Sequence, residues 1–224
     1  MVHDGNMSAK FGDPFSSEAN RRRFLGLNTN MTDKTIARMQ AEQGNVVMGV
    51  EQLTDTVYAC DGLVTDRTNQ IMELNSGDYP SIIIFSTKYH LLAHIHAGRR
   101  TLDAGIIAQA ILKLQLRCPR LTFYPQEFQA IITPGICPQC YHFPGDYYEE
   151  HLKAKWPNVE PNAAGRFPID LRGRIQRELQ AFGMTKIMTW GGCNVCQMAM
   201  FSHLRGQTDR TRYGRHLVAA WLEE

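Results

Sequence analysis

The chain has 224 residues, 43% of them hydrophobic and 21% charged, which describes a globular protein able to bury a substantial core rather than a disordered one. A formal net charge of +2 argues against nucleic acid as a partner, and the basic runs at 21–23 and 205–215 read as anion contacts or solvated faces. No segment reaches the roughly 18 apolar residues of a membrane helix, and the opening MVHDGNMSAKFGD has no apolar signal core, so the expectation is a cytoplasmic protein with no membrane partner, its cysteines reduced or metal-bound.

In chain order, Ser16 or Ser17 is placed to cap a helix over 18–24 that carries three arginines. Thr32 or Asp33 is placed to cap a second helix over 34–43, ended by Gly44. Residues 45–52 read as a strand, 57–60 as its continuation in the sheet, and 61–65 and 71–74 as further short strands. Gly77-Asp78-Tyr79-Pro80 is a tight turn, because Pro80 drives Tyr79 out of helical geometry. Residues 81–86 and 89–96 make a hairpin through Thr87-Lys88.

The run 102–116 is helical, with Ile106, Ala110 and Leu114 on one stripe and Ile107 and Ile111 beside it, and Cys118-Pro119 ends it. A strand over 128–133 breaks at Pro134-Gly135. An exposed helix over 145–156 and a loop over 157–168 follow. Asp170 caps a helix over 171–182, closed by Gly183. A strand over 184–189 leads into a Gly191-Gly192 turn. Residues 198–201 are a short helix or extended, 207–213 a polar loop, and 214–222 a last strand or short helix. Strands and helices interleave without repeats or linkers, so the reading is one α/β domain over residues 1–224 with mixed sheets.

Three features carry chemistry. His90, His94 and His96 occupy alternate positions of one predicted strand and would share a face. Such a face suits metal ligation, proton shuttling or anion contact, or is simply half-buried. Cys137-x-x-Cys140 and Cys193-x-x-Cys196 each follow a predicted strand. Together they suit one tetrahedral zinc ion, while a redox dithiol and plain buried thiols remain open readings. Cys60 and Cys118 read as packing residues. Finally, Arg100 just after His96, and Ser202, His203, Arg205 and Arg215 near the end, are donors suited to a phosphate or nucleoside. Asp78 is the acid singled out as a possible base. The sequence contains no P-loop, no GxGxxG after a strand, no HExxH and no GxSxG.

These pieces fall in a familiar order. Gly12-Asp13 with Asn20-Arg21, residues 51–55, the run DGLVT at 61–65, the turn at 76–80, HAGRRT at 96–101, the segment 134–141, and 193–205 followed by Gly214-Arg215 resemble the bacterial laccase-domain (YfiH-type) family, whose members are called polyphenol oxidases or purine nucleoside phosphorylases. The resemblance runs over nearly the whole chain, although the family's opening F-S-x-R-x-G-G-x-S segment is missing. It implies one domain of mixed β-sheets flanked by helices in α/β/β/α layers. It also implies a metal site of His, Cys and His that serves phosphorolysis of purine nucleosides and deamination of adenosine.

Here the first His position is Thr54 and the Cys position is Tyr79, so of the three only His96 remains, too few for a catalytic zinc. Asp78, Arg100, Ser202, Arg205 and Arg215 match the family. Two readings follow. In one, the chain is a phosphorylase- or hydrolase-type enzyme for nucleosides: Arg21, Arg100 or Arg205 holds phosphate or ribose, Thr54 and Tyr79 line the pocket, and His96 with Asp78 moves protons. In the other, the chain binds a small anionic or nucleoside-like ligand, or a partner, without catalysis, and a structural zinc sits on Cys137, Cys140, Cys193 and Cys196. Copper-dependent phenol oxidation is disfavoured, because His94-x-His96 is the only His-x-His pair.

Overall fold

Strict alternation of side chains along the central strands builds two sheets back to back. The computed structural model describes residues 7, 14–28, 34–51, 55–118, 123–208 and 214–223. After helix α1 (Pro14–Asn28) come β1 (Thr35–Gln40), β2 (Val47–Gly49), β3 (Thr56–Ala59), β4 (Gly62–Thr65), β5 (Gln70–Ser76), β6 (Ser81–Ser86) and β7 (Leu91–His96). Helices α2 (Arg99–Asp103) and α3 (Ile106–Arg117) precede β8 (Gln129–Ile132), β9 (His142–Phe143) and α4 (Gly145–Tyr147). The chain continues through β10 (Phe167–Pro168), α5 (Leu171–Ala181), β11 (Lys186–Thr189), α6 (His203–Gly206) and β12 (His216–Ala220).

One sheet has the order β12-β5-β1-β3 and the other β11-β8-β6-β7-β4-β2, while β9 and β10 form a small ribbon. Both large sheets are mixed: β1 runs parallel to β3 and β5, β12 antiparallel to β5, and in the six-stranded sheet only β8–β11 and β2–β4 are parallel pairs.

Leu91, Ala93 and Ile95 of β7, with Ile82 and Ile84 of β6, pack towards Ile107 and Ala110 of α3 and Leu171 and Ile175 of α5. The alternate residues Leu92, Ile83 and Phe85, with Leu63 of β4, meet Ala37, Met39, Met72 and Leu74 of the other sheet. On that sheet's outer face Phe24 and Leu25 of α1 cover Ile36, Ile71 and Leu217. The result is the α/β/β/α layering that the family resemblance implies. Leu63, Met72 and Leu74, at most 1% exposed between the sheets, each contribute on the order of 1.5–3 kcal/mol by burial.

The structure corrects four expectations. Residues 35–40 are strand, not helix: Ala37 and Met39 are buried between the sheets, and β1 has a hydrogen-bonded neighbour on each side. Helix propensity differences of under about 1 kcal/mol per residue cannot oppose two strand ladders. The expected caps Thr32 and Asp33 lie outside the described residues. The helix expected over 102–116 is two helices, divided at Gly105, whose φ of +80° stops the first.

The segment 145–156 is exposed over most of its length, as expected, but it is not one regular helix and three of its residues are anchored in the core. One helical turn becomes a π turn over Tyr148–Leu152, with Tyr148, Leu152 and Trp156 buried and the Tyr148 hydroxyl donating to the Trp156 carbonyl at 2.7 Å. Finally, the β6–β7 turn takes in residues 87–90, so His90, at φ +52°, leaves the strand face that His94 and His96 share. Among the described residues no helix is long and apolar enough to cross a membrane.

Candidate functional site

Strand register decides which residues meet. In the antiparallel pairs Ser81 lies opposite His96, Ile82 opposite Ile132, and Gly62 opposite Ile95. The start of β6, the end of β7, the end of β8 and the start of β4 therefore share one rim of the six-stranded sheet. Because β8 and β11 are parallel neighbours, the loops that follow them leave at that same rim. The end of β5 and the start of β12 arrive from the other sheet, with Ser76 opposite His216. A cleft of about 490 Å³ opens there, lined by His96, Asp78, Tyr79, Tyr141, His203 and Arg215 among others.

His96 is nearly buried and its Nδ1 lies 3.3 Å from Asp61 Oδ1. Asp61, wholly buried, also accepts from the Gln43 amide at 3.0 Å and the Gly44 amide at 2.8 Å. Burial is the largest single influence and would raise its pKa. The His96 ring and the two amides together outweigh it and hold the carboxyl below its usual value. With Nδ1 turned to Asp61, Nε2 is the nitrogen left for the cleft.

The Tyr79 ring lies 6.0 Å from the His96 ring, and its hydroxyl is 3.2 Å from that of Tyr141, which meets it edge-on. Gly98 makes this possible, since a Cβ there would fall 2.8 Å from the Tyr79 ring. Burial, then the Tyr79 phenol, push the Tyr141 phenol well above its usual range, so it stays a neutral donor.

The other sequence-predicted residues divide. Asp78 reaches the cleft, and its Oδ2 accepts from the Leu204 amide at 2.7 Å, so it also holds the start of α6. Ser202 is buried as the cap of that helix, accepting from the Arg205 amide at 3.1 Å. Arg205 is spent on carbonyls: it donates to Asn194 at 3.0 Å, Val195 at 2.6 Å and Gln197 at 3.4 Å, and also to Met200. Arg215 lines the cleft and donates to the Gly214 carbonyl at 2.9 Å. Arg100 is exposed on α2 and does not line it. Arg21, on α1, is buried and paired with Glu73 of β5. Thr54 lies outside the described residues.

His94, beside His96 on the shared face, is fully buried between the sheets, with Nδ1 3.3 Å from the Met72 carbonyl and Nε2 3.3 Å from Ser81 Oγ. Burial pushes it down to about 4, so it is a neutral core histidine rather than a ligand. Sequence reasoning passed over Asp61 and Tyr141 as individual residues. The available signal for Asp61 was an acid opening a strand with no polar neighbour to explain it.

Behind the cleft wall the four cysteines of the two C-x-x-C pairs converge, with all four sulfurs within 4.8 Å of one another. Cys196 Sγ is 3.5 Å from Cys140 Sγ and 3.9 Å from Cys137 Sγ. Four thiolates about 2.3 Å from one tetrahedral ion lie about 3.8 Å apart, so the cluster fits a shared metal ion. The Cys137 amide donates to Cys193 Sγ at 3.2 Å. Burial would raise the Cys193 thiol, but this amide and that of Cys196 outweigh it and lower it towards the thiolate a metal needs. Among the described residues no other group of three or more such side chains is close enough to hold an ion. Cys60 and Cys118 are buried packing residues, and burial pushes the Cys60 thiol up to about 12.

Among curated proteins the chain is similar to a purine nucleoside phosphorylase of Mycobacterium tuberculosis, 26% identical over 212 residues that cover 94% of this chain and 81% of the relative. It is 25% identical to one from Streptomyces griseus, over 97% of this chain and 87% of that protein. Its fold matches YfiH of Bacillus licheniformis, with a TM-score of 0.80 at 20% identity, over 97% of this chain and 85% of the other. It matches YlmD of Geobacillus stearothermophilus equally well, with a TM-score of 0.80 at 23% identity, over 98% and 85%. A family model described as multi-copper polyphenol oxidoreductase laccase matches residues 1–223, and the chain belongs to that family.

Proposed function

We propose that this chain binds a purine-nucleoside-type ligand in the His96 cleft without a catalytic metal, and that its metal is a structural zinc on Cys137, Cys140, Cys193 and Cys196. The observation that carries this reading is the donor set. The described residues gather no three metal donors at His96, whereas four thiols gather behind it. By the family resemblance the His, Cys and His of the site fall at Thr54, Tyr79 and His96, and a phenol at Tyr79 is a poorer zinc ligand than the thiolate it replaces. His94 cannot substitute, because both its ring nitrogens have partners between the sheets. Nor do these residues fit copper, and no step is routed through either metal at the cleft. A zinc held by four thiolates has no open position, so it serves folding rather than chemistry. Thiolate ligands of this kind persist in a reducing compartment, which supports a cytoplasmic protein.

The relatives' names supply the ligand class, and the cleft suits it. Tyr79 and Tyr141 offer ring faces and hydroxyls, His96 a nitrogen oriented by Asp61, Arg215 a guanidinium and His203 an imidazole for ribose or phosphate. A second reading, phosphorolysis without metal, is favoured by the His96–Asp61 pair, in which His96 protonates the departing base.

Three measurements test these readings. Metal analysis of purified protein is expected to give one zinc per chain, lost in Cys193→Ser and kept in His96→Ala; the reverse pattern sinks the structural assignment. Calorimetry with inosine and adenosine is expected to show binding that His96→Ala weakens by roughly tenfold, the worth of one hydrogen bond to a partly buried group. Phosphate-dependent release of base above the His96→Ala background establishes the enzymatic reading instead.

A further inference from the structure

The loops that carry the cysteines also build one wall of the cleft. After β8, the Ile136 amide donates to the Asp78 carbonyl at 2.6 Å, and Ile136 and Tyr141 line the cleft. The Cys140 and Tyr141 amides both return to the Cys137 carbonyl, at 3.0 and 2.9 Å, so the turn that places two sulfurs also places the Tyr141 ring. After β11, Asn194 lies between Cys193 and Cys196 and is 1% exposed. Its side-chain amide donates to the Gly77 carbonyl, in the turn that carries Asp78 and Tyr79, and lies 3.1 Å from His216 Nε2. Beyond it Arg205 gathers this loop's carbonyls, and α6 delivers the Leu204 amide to Asp78. What joins the two loops is mainly sulfur: the Cys137 amide on Cys193 Sγ and the close approaches of Cys196 to Cys137 and Cys140, besides one hydrogen bond from the Gly135 amide to the Gly192 carbonyl at 3.3 Å.

Resting on the reading that the cysteines hold an ion and the cleft a ligand, we propose that the ion controls the cleft. Metal on the four cysteines fixes Tyr141 directly and, with Asn194 as the positioning residue, fixes the Gly77-Asp78-Tyr79 turn, so that metal and ligand binding are positively linked although the two never touch. Without an ion, four crowded thiols have no common partner and the two loops lose their main joint. The wall of the cleft then loosens while the sheets behind it stay packed. Linkage is reciprocal, so a bound ligand tightens the hold on the metal by the same factor.

The test is hydrogen exchange on zinc-loaded protein, on protein stripped by a chelator, and on zinc-loaded Asn194→Ala. Stripping is expected to speed exchange at the Ile136 and Leu204 amides, which Asp78 accepts, and at Tyr141 by roughly tenfold or more, leaving Val64 and Ala93 in the sheet unchanged. Asn194→Ala, still holding one zinc, is expected to speed exchange at the Ile136 and Leu204 amides that bond to the turn, but not at Tyr141. The proposal is overturned if stripping loosens only residues 193–197. It is equally overturned if stripping unfolds the whole sheet and Asn194→Ala leaves the Ile136 and Leu204 amides protected. Inosine titration separates this idea from the functional reading: equal binding with and without zinc sinks the linkage alone, whereas metal-dependent protection with no inosine binding sinks the ligand assignment alone.

Discussion

Two adjacent histidines on one strand have opposite fates, and the difference lies in what surrounds each ring. His96 sits at the rim, against Asp61. His94 sits two residues deeper, with no carboxylate beside it, and is pushed down to about 4 by burial, with the Met72 carbonyl opposing that shift and His96 adding to it. A histidine held neutral in the fold but free to protonate when unfolded destabilises the fold as pH falls. The unfolded chain takes the proton near 6.5, so stability is complete above that pH and declines from there down to about 4. His216, likewise lowered by burial, acts in the same direction. Urea unfolding at a series of pH values is expected to show this decline. In His94→Gln the slope should flatten by about one proton, and an unchanged slope would place the acid sensitivity elsewhere. That the histidines alternate was legible in the sequence. That their face is the dry seam between two sheets was not, because it depends on a second sheet whose strands lie elsewhere in the chain.

At the scale of elements, α1 is tied to its sheet by charge as well as by apolar contact. Glu73 of β5 is fully buried, paired with Arg21 of α1 and with Arg38 of β1, whose Nε lies 3.0 Å away. Burial, and then Arg38, hold Arg21 down at about 10, still charged at neutral pH. Removing one partner leaves a buried charge without compensation, so Glu73→Ala is expected to cost about 3–5 kcal/mol in denaturant unfolding. Adding Arg21→Met should recover much of that loss, and full additivity of the two changes would show that the pair is not coupled. Arg21, expected from the sequence as a ligand residue, is buried and ion-paired with Glu73 in the fold. An arginine's partner thirty or more residues away in another element leaves no local mark. Strand β1 is illegible for a related reason: TIARMQ is made mostly of residues that accept a helix, and only its two flanking strands decide otherwise.

For the whole molecule, the four cysteines join the loops at one rim of a sheet, and their closeness follows from the parallel pairing of β8 with β11. Each C-x-x-C pair is visible in sequence; that the two meet depends on which strands are neighbours, and spacing alone does not carry that. Chelation is therefore expected to lower the midpoint of thermal unfolding, with recovery on adding zinc back, and an unchanged midpoint would remove the cluster from the stability of the fold.

The aromatic residues are distributed with an optical consequence. None of the chain's three tryptophans lines the cleft, whose rings are tyrosines and histidines. Trp156 is buried with the Arg174 guanidinium 4.4 Å from its ring centre, and Trp190, 64% exposed, stands just ahead of Cys193. Tryptophan emission will therefore follow unfolding through the one and the cysteine loop through the other, without a ring of its own in the cleft. Tyrosine absorbance, through the Tyr79–Tyr141 pair, is the signal in which occupancy of the cleft can be read without a label.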